Sequence, residues 1–288
     1  MNYRHAFHAG NFADLIKHAV VLDLMARLTA AGGPLTVVDT HAGAGGYDLT
    51  GELARKTGEG QAGIVRLMAD AEAPAVFEPL RAAVRGMNAS GVKDGQGVRY
   101  YPGSPLLIAP ALRASDRYLA CEIRPDDGAA LKGALKGARG AEVRLADGWS
   151  VAVAEARAGG RARRLFVLID PPFERGDDYA SIVATVGAVL DAAPGACLAI
   201  WVPIKDLATF DAFLGELEDV AQDAGHGRAP LLVSEVRLRP LADPMKMNGC
   251  AMLVLGAPPG AEAPARAAAD WIAARLGEAG ARAHTRAL

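Results

Sequence analysis

The residues best suited to chemistry are Asp170, Pro171, Pro172 and Phe173, which follow an apolar run at residues 165–169. Five apolar residues in a row predict a strand that is buried on both faces, as in a parallel sheet. Because proline cannot continue a central strand, the chain must turn after Asp170. We therefore expect Asp170 at the carboxyl end of a core strand, which is where open α/β sheets bind ligands.

This tetrapeptide suits the methylation of an exocyclic amino group on a nucleobase, whose lone pair is delocalised into the ring. The Asp170 carboxylate and the Pro171 carbonyl can each accept a hydrogen bond from that NH2 group, which favours a pyramidal nitrogen able to attack a methyl sulfonium. The two prolines fix φ and hold the carbonyl in place. Phe173 can stack on the base, a contact worth about 1–3 kcal/mol. The alternative interpretation is an ordinary Asp-Pro-Pro turn with a buried aromatic ring.

A glycine-rich turn follows an earlier strand, predicted at residues 35–39. It reads Thr40-His41-Ala42-Gly43-Ala44-Gly45-Gly46, and such a turn at a strand end lets a ligand approach the backbone closely. The third glycine of a dinucleotide fingerprint would stand at position 48, which is Asp48, and no P-loop lysine follows. The turn around Gly43 therefore favours an adenosylmethionine site over a dinucleotide site.

Two further strand ends carry acids. A strand at residues 117–121 leads into Glu122, whose carboxylate could accept both ribose hydroxyls of a cofactor. This acid comes late because residues 50–98 predict helices and loops rather than a strand. Asp147 and Gly148 close the next strand and could face the amino group of the cofactor's adenine. An ordinary charged strand end is the alternative interpretation of Glu122.

The N-terminal segment concentrates aromatic and basic side chains. Tyr3, Arg4 and His5, with Phe7 and His8, suit contact with a phosphate backbone and a stacked base. A flexible tail is the alternative interpretation.

A helix is predicted to begin at the N-cap Asn11 and to end at Gly32 and Gly33. Asp14, Lys17 and His18 lie near one another on it, at positions i, i+3 and i+4. The two cations could hold an anionic group such as an amino-acid carboxylate, or the three could form a solvated polar face.

Composition sets the remaining bounds. The chain has 288 residues, 51% hydrophobic and 22% charged, with a formal net charge of -2, which is typical of a globular protein without a strongly basic surface. We find no secretory signal or membrane-length apolar run, and the three cysteines lack metal spacing, so we expect a cytoplasmic protein with no metal. The basic candidates for contact with RNA are Arg4, Lys17, Arg55, Lys56, Arg161, Arg163 and Arg164.

Several long motifs occur in one order and closely resemble the bacterial ribosomal RNA large subunit methyltransferase J family. These motifs are Tyr3-Arg-His-x-Phe-His-Ala-Gly-Asn, Asp14-x-x-Lys17-His18, Asp39-Thr-His-Ala-Gly-Ala-Gly, Tyr100-Tyr-Pro-Gly-Ser-Pro, Asp147-Gly and Asp170-Pro-Pro-Phe. The resemblance implies an S-adenosylmethionine-dependent enzyme that methylates N6 of one adenine in 23S rRNA, releasing S-adenosylhomocysteine. One departure is Phe173, where this family commonly has tyrosine; stacking survives this change.

The resemblance also implies a Rossmann-like class I methyltransferase fold, for which we predict a seven-stranded, mostly parallel sheet. We assign residues 1–49 and 99–288 to the main domain and residues 50–98 to an inserted helical subdomain. Asp170, Pro171 and Phe173 are the expected catalytic residues, and Tyr3, Arg4 and His5 are the expected RNA contacts. No membrane and no obligate protein partner are expected. The expected cofactor-binding residues are Lys17, His18, His41, Gly43, Ser104, Glu122, Asp147, Gly148 and Asp170.

Three alternative functions remain open from the sequence. A DNA amino-methyltransferase could use the same catalytic motif, but the chain has no additional target-recognition domain of the kind that flipping a base out of a duplex usually needs. A non-catalytic module that binds RNA or adenosylmethionine would have no use for an intact Asp170-Pro-Pro-Phe motif. A Rossmann oxidoreductase is disfavoured by Asp48.

Overall fold

The computed structural model describes residues 7–89, 97–159, 164–223, 230–241 and 247–288. Within these residues, eight strands form one mixed sheet and two short strands, β2 and β3, pair separately. The strands are β1 (Leu35–Asp39), β2 (Gly46–Asp48), β3 (Tyr100–Pro102), β4 (Arg117–Cys121), β5 (Ala141–Arg144), β6 (Arg164–Ile169), β7 (Cys197–Ile204), β8 (Leu231–Arg237), β9 (Gly249–Leu255) and β10 (Arg282–Ala287).

The helices alternate with these strands along most of the chain. They are α1 (Phe12–Ala30), α2 (Glu52–Thr57), α3 (Arg66–Ala69), α4 (Glu78–Asn88), α5 (Ser104–Ile108), α6 (Pro125–Ala134), α7 (Gly148–Gly159), α8 (Asp178–Ala192), α9 (Leu207–Asp223) and α10 (Glu262–Leu276). Short π- or 3-10-helical turns lie at Gln61–Val65, Ala75–Phe77 and Ala109–Ala111. No helix in the described ranges is long and apolar enough to cross a membrane.

The large sheet has the strand order β10-β8-β9-β7-β6-β1-β4-β5. Strands β5, β4, β1, β6 and β7 pair in parallel, whereas β9, β8 and β10 extend the sheet with antiparallel pairs. The predicted Rossmann-like α/β fold is confirmed, but the predicted count of seven strands in the sheet is wrong. The eighth strand is β10, an edge strand of sequence Arg-Ala-His-Thr-Arg-Ala. Because it lacks an apolar run, the pattern used for the core strands did not identify it.

Strand β1 lies in the middle of the parallel part, and later strands are added on both sides of it. Strands β4 and β5 follow on one side, whereas β6 and β7 lie on the other side. The sheet therefore has a reversal of strand order at β1, and ligands of open α/β sheets bind beyond the carboxyl ends of the strands at such a point. Asp39 ends β1, and Asp170 follows the last residue of the neighbouring β6.

Helices cover both faces of the sheet. Helices α1 and α10 share one buried apolar cluster with one face, whereas α7, α8 and α9 share a second cluster with the other. Helix α1 begins as predicted, because the Asn11 side chain accepts a hydrogen bond from the Asp14 backbone N–H at 3.0 Å. Apolar residues cover this helix on several sides, so its polar residues Asp14, Lys17 and His18 are also buried. The alternative of a solvated polar face is therefore wrong.

Helices α2, α3 and α4 lie along the chain between β2 and β3. Ile64, Leu67 and Phe77 of this segment join the apolar cluster that contains α1 and α10. The Trp271 side chain of α10 donates a hydrogen bond to Asp70 at 2.9 Å, which fastens the segment to the end of the chain. Its division from the main domain as a subdomain at residues 50–98 stays a prediction.

Candidate active site

The predicted catalytic aspartate has a buried cationic partner. Lys17 Nζ lies 2.6 Å from Asp170 Oδ2 and 2.8 Å from Asp14 Oδ1, and the Lys17 side chain is 6% exposed. Burial by itself would lower the pKa of Lys17, but the two carboxylates outweigh it and raise that pKa well above its ordinary value. Lys17 is therefore charged and fixes the orientation of the Asp170 carboxylate.

Phe173 has a backbone conformation that is unusual for a residue with a side chain. Its φ is +50°, and it is the one non-glycine residue with a positive φ in the described part of the chain. Its ring centroid lies 5.1 Å from that of Tyr179 and 5.8 Å from that of Trp201. The Tyr179 hydroxyl donates a hydrogen bond to the Pro203 carbonyl at 3.3 Å. This packing links the loop after β6 to the end of β7 and sets the direction of the Phe173 ring.

All nine residues predicted to bind the cofactor line one cavity at the carboxyl ends of β1, β4 and β6. They are Lys17, His18, His41, Gly43, Ser104, Glu122, Asp147, Gly148 and Asp170. The cavity is also lined by Pro171, the second predicted catalytic residue. Residues from α1, the glycine turn and three strand ends thus converge, as the order of the sheet requires.

Backbone amides hold the Glu122 carboxylate at the glycine turn. Gly43 N–H donates to Glu122 Oε2 at 3.1 Å, and Arg124 N–H donates to Oε1 at 2.7 Å. Burial raises the pKa of Glu122, although these two hydrogen bonds oppose the increase. Each oxygen keeps a second lone pair, so the carboxylate can accept further hydrogen bonds from a pair of hydroxyls.

Close backbone packing brings the start of α7 against the end of β1. A Cβ atom on Gly148 would lie 2.0 Å from the Thr40 carbonyl oxygen, so only glycine fits at this position. Gly43 has a φ of +64°, in the left-handed region that favours glycine. Close packing at Gly148 and the left-handed backbone at Gly43 therefore favour glycine at these two positions of the cavity wall.

Asp39, which had not been predicted as a site residue, forms a buried polar centre behind the cavity. Its Oδ2 accepts hydrogen bonds from the Ser104 hydroxyl at 2.6 Å and the Tyr118 hydroxyl at 3.1 Å. Oδ1 has no hydrogen-bond partner among the described residues. Burial raises the pKa of Asp39 to about 6, against the effect of the two hydroxyl donors. Ser104 thus lines the cavity while its hydroxyl donates a hydrogen bond to Asp39.

Both predicted histidines have fixed positions on the cavity wall. His18 Nδ1 shares a hydrogen bond with the Tyr101 hydroxyl at 2.7 Å, and the two rings stack at 5.5 Å. His41 Nδ1 lies 2.8 Å from the Thr40 hydroxyl, and its ring packs edge-on against Trp149 at 4.7 Å. Burial lowers the pKa of His41 to about 4, so His41 is neutral at pH 7. Neutral His41 offers hydrogen bonds to a ligand without adding charge.

A second cavity meets the first at the predicted catalytic motif. Lys17, Asp170, Pro171 and Pro172 line both cavities, and Phe173 lines the second. The far wall of the second cavity is formed by residues in or just after β7, after β8, before β9 and after α10. They include Trp201, Lys205, Arg239, Met247 and Glu278. Two molecules that occupy the two cavities would therefore meet beside the Asp170 carboxylate.

The structure describes only part of the N-terminal segment that was predicted to contact RNA. Tyr3, Arg4 and His5 lie outside them. His8, which follows, lines the second cavity and pairs with Glu59, with His8 Nδ1 3.0 Å from Glu59 Oε1. A hydrogen bond to Glu59 raises the pKa of His8. His8 is thus fixed to the segment between β2 and β3 rather than displayed for contact with phosphate.

Of the basic residues predicted for contact with RNA, the four that the structure describes do not share one face. Arg164 is the first residue of β6 and lies at the opposite end of that strand from Asp170. There it donates hydrogen bonds to the Leu28 and Gly32 carbonyls. This position excludes Arg164 from the site. Lys56 pairs with Glu52 on the surface of α2, and Arg55 is exposed on the same helix. Arg4, Arg161 and Arg163 lie outside the described residues.

Sequence patterns missed part of the wall of the first cavity. Ile123 lies directly after Glu122 and is 61% exposed, unusually so for a large apolar side chain, and Trp149 follows Gly148. An apolar residue after the acid at a strand end was the available indication of Ile123. Among the residues that the structure describes, no group of three or more histidine, cysteine, aspartate or glutamate side chains could hold a metal ion.

Comparison with known proteins gives consistent matches. A family model described as ribosomal RNA large subunit methyltransferase D, RlmJ, matches residues 32–287. An Escherichia coli protein named ribosomal RNA large subunit methyltransferase J is 32% identical over 280 residues, which cover 97% of this chain and 95% of that protein. The Haemophilus influenzae protein of the same name is 31% identical over 258 residues, covering 90% of this chain and 88% of that protein.

Among solved structures, protein LPL1258 from Legionella pneumophila has the same fold over almost its whole length. The TM-score is 0.83 at 25% sequence identity, and the match covers 97% of this chain and 98% of that one. The two chains therefore share their overall fold.

Proposed function

Because this chain belongs to the RlmJ family of ribosomal RNA large subunit methyltransferases, we propose that it methylates N6 of one adenine in 23S rRNA, with S-adenosylmethionine as the donor. The observation that carries the proposal is the meeting of two cavities at Asp170, Pro171 and Pro172. One cavity suits the donor and the other suits the base. An rRNA substrate also places the reaction in the cytoplasm.

The chemistry of the first cavity fits S-adenosylmethionine, which supplies an electrophilic methyl group when bound. Glu122 is positioned to accept hydrogen bonds from the ribose hydroxyls, and Asp147 to accept one from the adenine amino group. Gly43 and Gly148 line this cavity without a side chain, so the ligand can approach their backbone closely. The exposed Ile123 side chain offers apolar surface to the adenine ring.

We assign the amino-acid end of the donor to the wall formed by His18, His41 and Ser104. Lys17 also belongs to this wall, although its ammonium is engaged by Asp14 and Asp170. A lysine has three N–H donors, and two carboxylates leave the third for the donor's carboxylate. Lys17 thus serves two purposes in this assignment: it orients the catalytic aspartate and it faces the cofactor.

At the second cavity, Asp170 and the Pro171 carbonyl accept hydrogen bonds from the adenine amino group. Because Lys17 holds Asp170 Oδ2, we assign Oδ1 to this contact. The hydrogen bonds favour a pyramidal nitrogen whose lone pair is directed at the methyl group. After transfer the nitrogen is cationic and acidic, and it can release a proton to Asp170 Oδ1. Phe173 stacks on the base and fixes its plane.

We propose that Tyr3, Arg4 and His5 contact the RNA. They lie outside the described residues, and the support for this role is that the chain continues from them to His8, on the wall of the second cavity. No obligate protein partner is part of this proposal.

The test is to incubate the protein with tritiated S-adenosylmethionine and unmodified 23S rRNA, then to digest the RNA and identify the labelled nucleoside. Label in N6-methyladenosine at a single site is the expected result. Label in DNA alone would instead indicate a DNA amino-methyltransferase. Binding of S-adenosylmethionine with no transfer to either nucleic acid would indicate a non-catalytic binding module.

Two variants connect the activity to the motif. Asp170→Asn keeps the shape of the side chain but removes its negative charge, and Asp170→Ala removes the acceptor altogether. Both should lower the rate of a single turnover by at least about 100-fold, while S-adenosylmethionine binding changes little. Turnover at the wild-type rate in either variant would refute the role of Asp170.

A further inference from the structure

The mouth of the second cavity has a lysine whose ammonium has no ion-pair partner among the described residues. Lys205 follows the last residue of β7, and its side chain is exposed. Strand β7 pairs with β6, which leads into Asp170. Lys205 and Asp170 therefore follow the ends of adjacent strands and line the same cavity.

The other charged groups on this wall already have partners of opposite charge. His8 pairs with Glu59 at 3.0 Å, and Arg239 Nη2 lies 2.8 Å from Glu278 Oε1. Lys17 is held between two carboxylates. Each of these cations would have to give up a carboxylate to bind another anion. In the described part of the wall, Lys205 alone offers a positive charge that is not already compensated.

Such a charge would attract the phosphates of a polynucleotide, if the base enters the second cavity as the proposed function requires. An adenine that reaches Asp170 must leave its flanking phosphodiester groups near the cavity mouth. Glu59 and Glu278 lie on that wall and would repel phosphate wherever their own partners do not screen them. We infer that Lys205 binds a phosphate of the RNA next to the target adenosine.

The backbone at the end of β7, which Lys205 follows, is fixed relative to Phe173, the residue proposed to stack on the base. Tyr179 packs against Phe173, and its hydroxyl donates a hydrogen bond to the carbonyl of Pro203, two residues before Lys205. The end of β7 and the loop after β6 are thus held together. A phosphate bound at Lys205 would set how far the target nucleotide enters the cavity, so Lys205 is a positioning residue and takes no part in the chemical step.

The experiment compares Lys205→Ala with Lys136→Ala, in binding and in turnover. Lys136 is an exposed lysine just beyond α6 that lines neither cavity, so its variant loses the same charge elsewhere. Affinity for unmodified 23S rRNA is measured without S-adenosylmethionine over a range of salt concentrations. Lys205→Ala should weaken binding about fivefold and make the slope of log affinity against log salt shallower by about 0.7–0.9.

Turnover should change in the same sense. For Lys205→Ala, the KM for RNA should rise about fivefold while kcat stays within about twofold, and Lys205→Arg should restore most of the affinity. Equal affinity and equal salt slope in Lys205→Ala and Lys136→Ala would overturn the inference. Since binding is measured without the donor, a Lys205-dependent affinity in a protein that transfers no methyl group would refute the proposed function but not the phosphate contact.

Discussion

Lys17 Nζ lies 2.6 Å from Asp170 Oδ2, although 153 residues separate the two in the chain. Their contact fixes helix α1 to the end of β6, at the point where the two cavities meet. Burying charged groups is unfavourable unless they are paired, and here one cation compensates two carboxylates, Asp14 and Asp170. We therefore expect stability and catalysis to depend on the same three side chains.

Replacing Lys17 with an uncharged residue should lower both stability and turnover. Lys17→Met keeps most of the volume but leaves the buried Asp14 and the partly buried Asp170 without a counter-charge, so the free energy of unfolding should fall by about 3–5 kcal/mol. Turnover should fall with it, because the orientation of Asp170 is lost. Urea unfolding and single-turnover rates measure the two effects.

A double variant tests whether the contact is the cause. In the Lys17→Met background, Asp170→Asn removes one of the unpaired carboxylates and should recover part of the lost stability, whereas the same change in the wild-type protein should not stabilise it. The coupling free energy should exceed about 1 kcal/mol. Strictly additive effects of the two substitutions on stability would show that the contact does not contribute as described.

The motif at residues 170–173 and the acid Glu122 could be located from the sequence because buried parallel strands read as apolar runs, and their ends as abrupt polar or proline residues. Those rules place residues on the sheet edge. They do not say which helix covers that edge, so the partnership of Lys17 with Asp170 required the packing of α1. The hydrogen bonds of Asp39 could not be predicted for a related reason, since its partners Ser104 and Tyr118 come from distant segments. Strand β10 was missed because a sheet edge tolerates alternating charged residues that a core strand excludes.

The aromatic ring at position 173 should matter for binding the base. Phe173→Leu removes stacking worth about 1–3 kcal/mol, so kcat/KM for RNA should fall about 5- to 150-fold. Phe173→Tyr keeps the ring and should retain most of the activity. Steady-state kinetics with both variants separates the ring from the hydroxyl, and equal loss in the two would contradict a stacking role.

Phe173→Gly separates the backbone from the ring. A φ of +50° is unfavourable for phenylalanine but suits glycine, so this variant should unfold at a urea concentration no lower than Phe173→Leu does, while it lacks the stacking surface. Lower stability in the glycine variant would show that the loop conformation depends on more than φ.

Ionisation of Asp39 should make the protein without bound ligand less stable as the pH rises. Its pKa is about 6 in the folded protein against an ordinary value of 3.8, so between these pH values the folded state binds more protons than the unfolded state. The contribution of Asp39 to stability therefore decreases as the pH rises through this window and stays low above it. Asp39→Asn should remove this loss and raise the free energy of unfolding at pH 8 by up to about 3 kcal/mol.

The measurement is a set of urea unfolding curves for wild type and Asp39→Asn between pH 4 and pH 8. The two proteins should converge toward the acidic end, where Asp39 is protonated, and diverge toward pH 8. A constant difference across the range would mean that ionisation of Asp39 does not set the effect. Ser104→Ala serves as a control for the loss of one hydroxyl donor without a change in charge.

The contact between Gly148 and the end of β1 should determine the shape of the donor cavity. In Gly148→Ala the new Cβ would lie 2.0 Å from the Thr40 carbonyl oxygen, so the start of α7 must move away from β1. S-adenosylmethionine affinity should fall at least about tenfold, because Asp147 and Trp149 move with the helix. Gly133→Ala on α6 is the matched control, since a Cβ there meets nothing within 4 Å and alanine favours a helix. Calorimetric titration of both variants distinguishes the outcomes: unchanged affinity in Gly148→Ala would mean that the wall of the cavity relaxes without loss, and an equal decrease in both would indicate a general effect of replacing glycine in a helix.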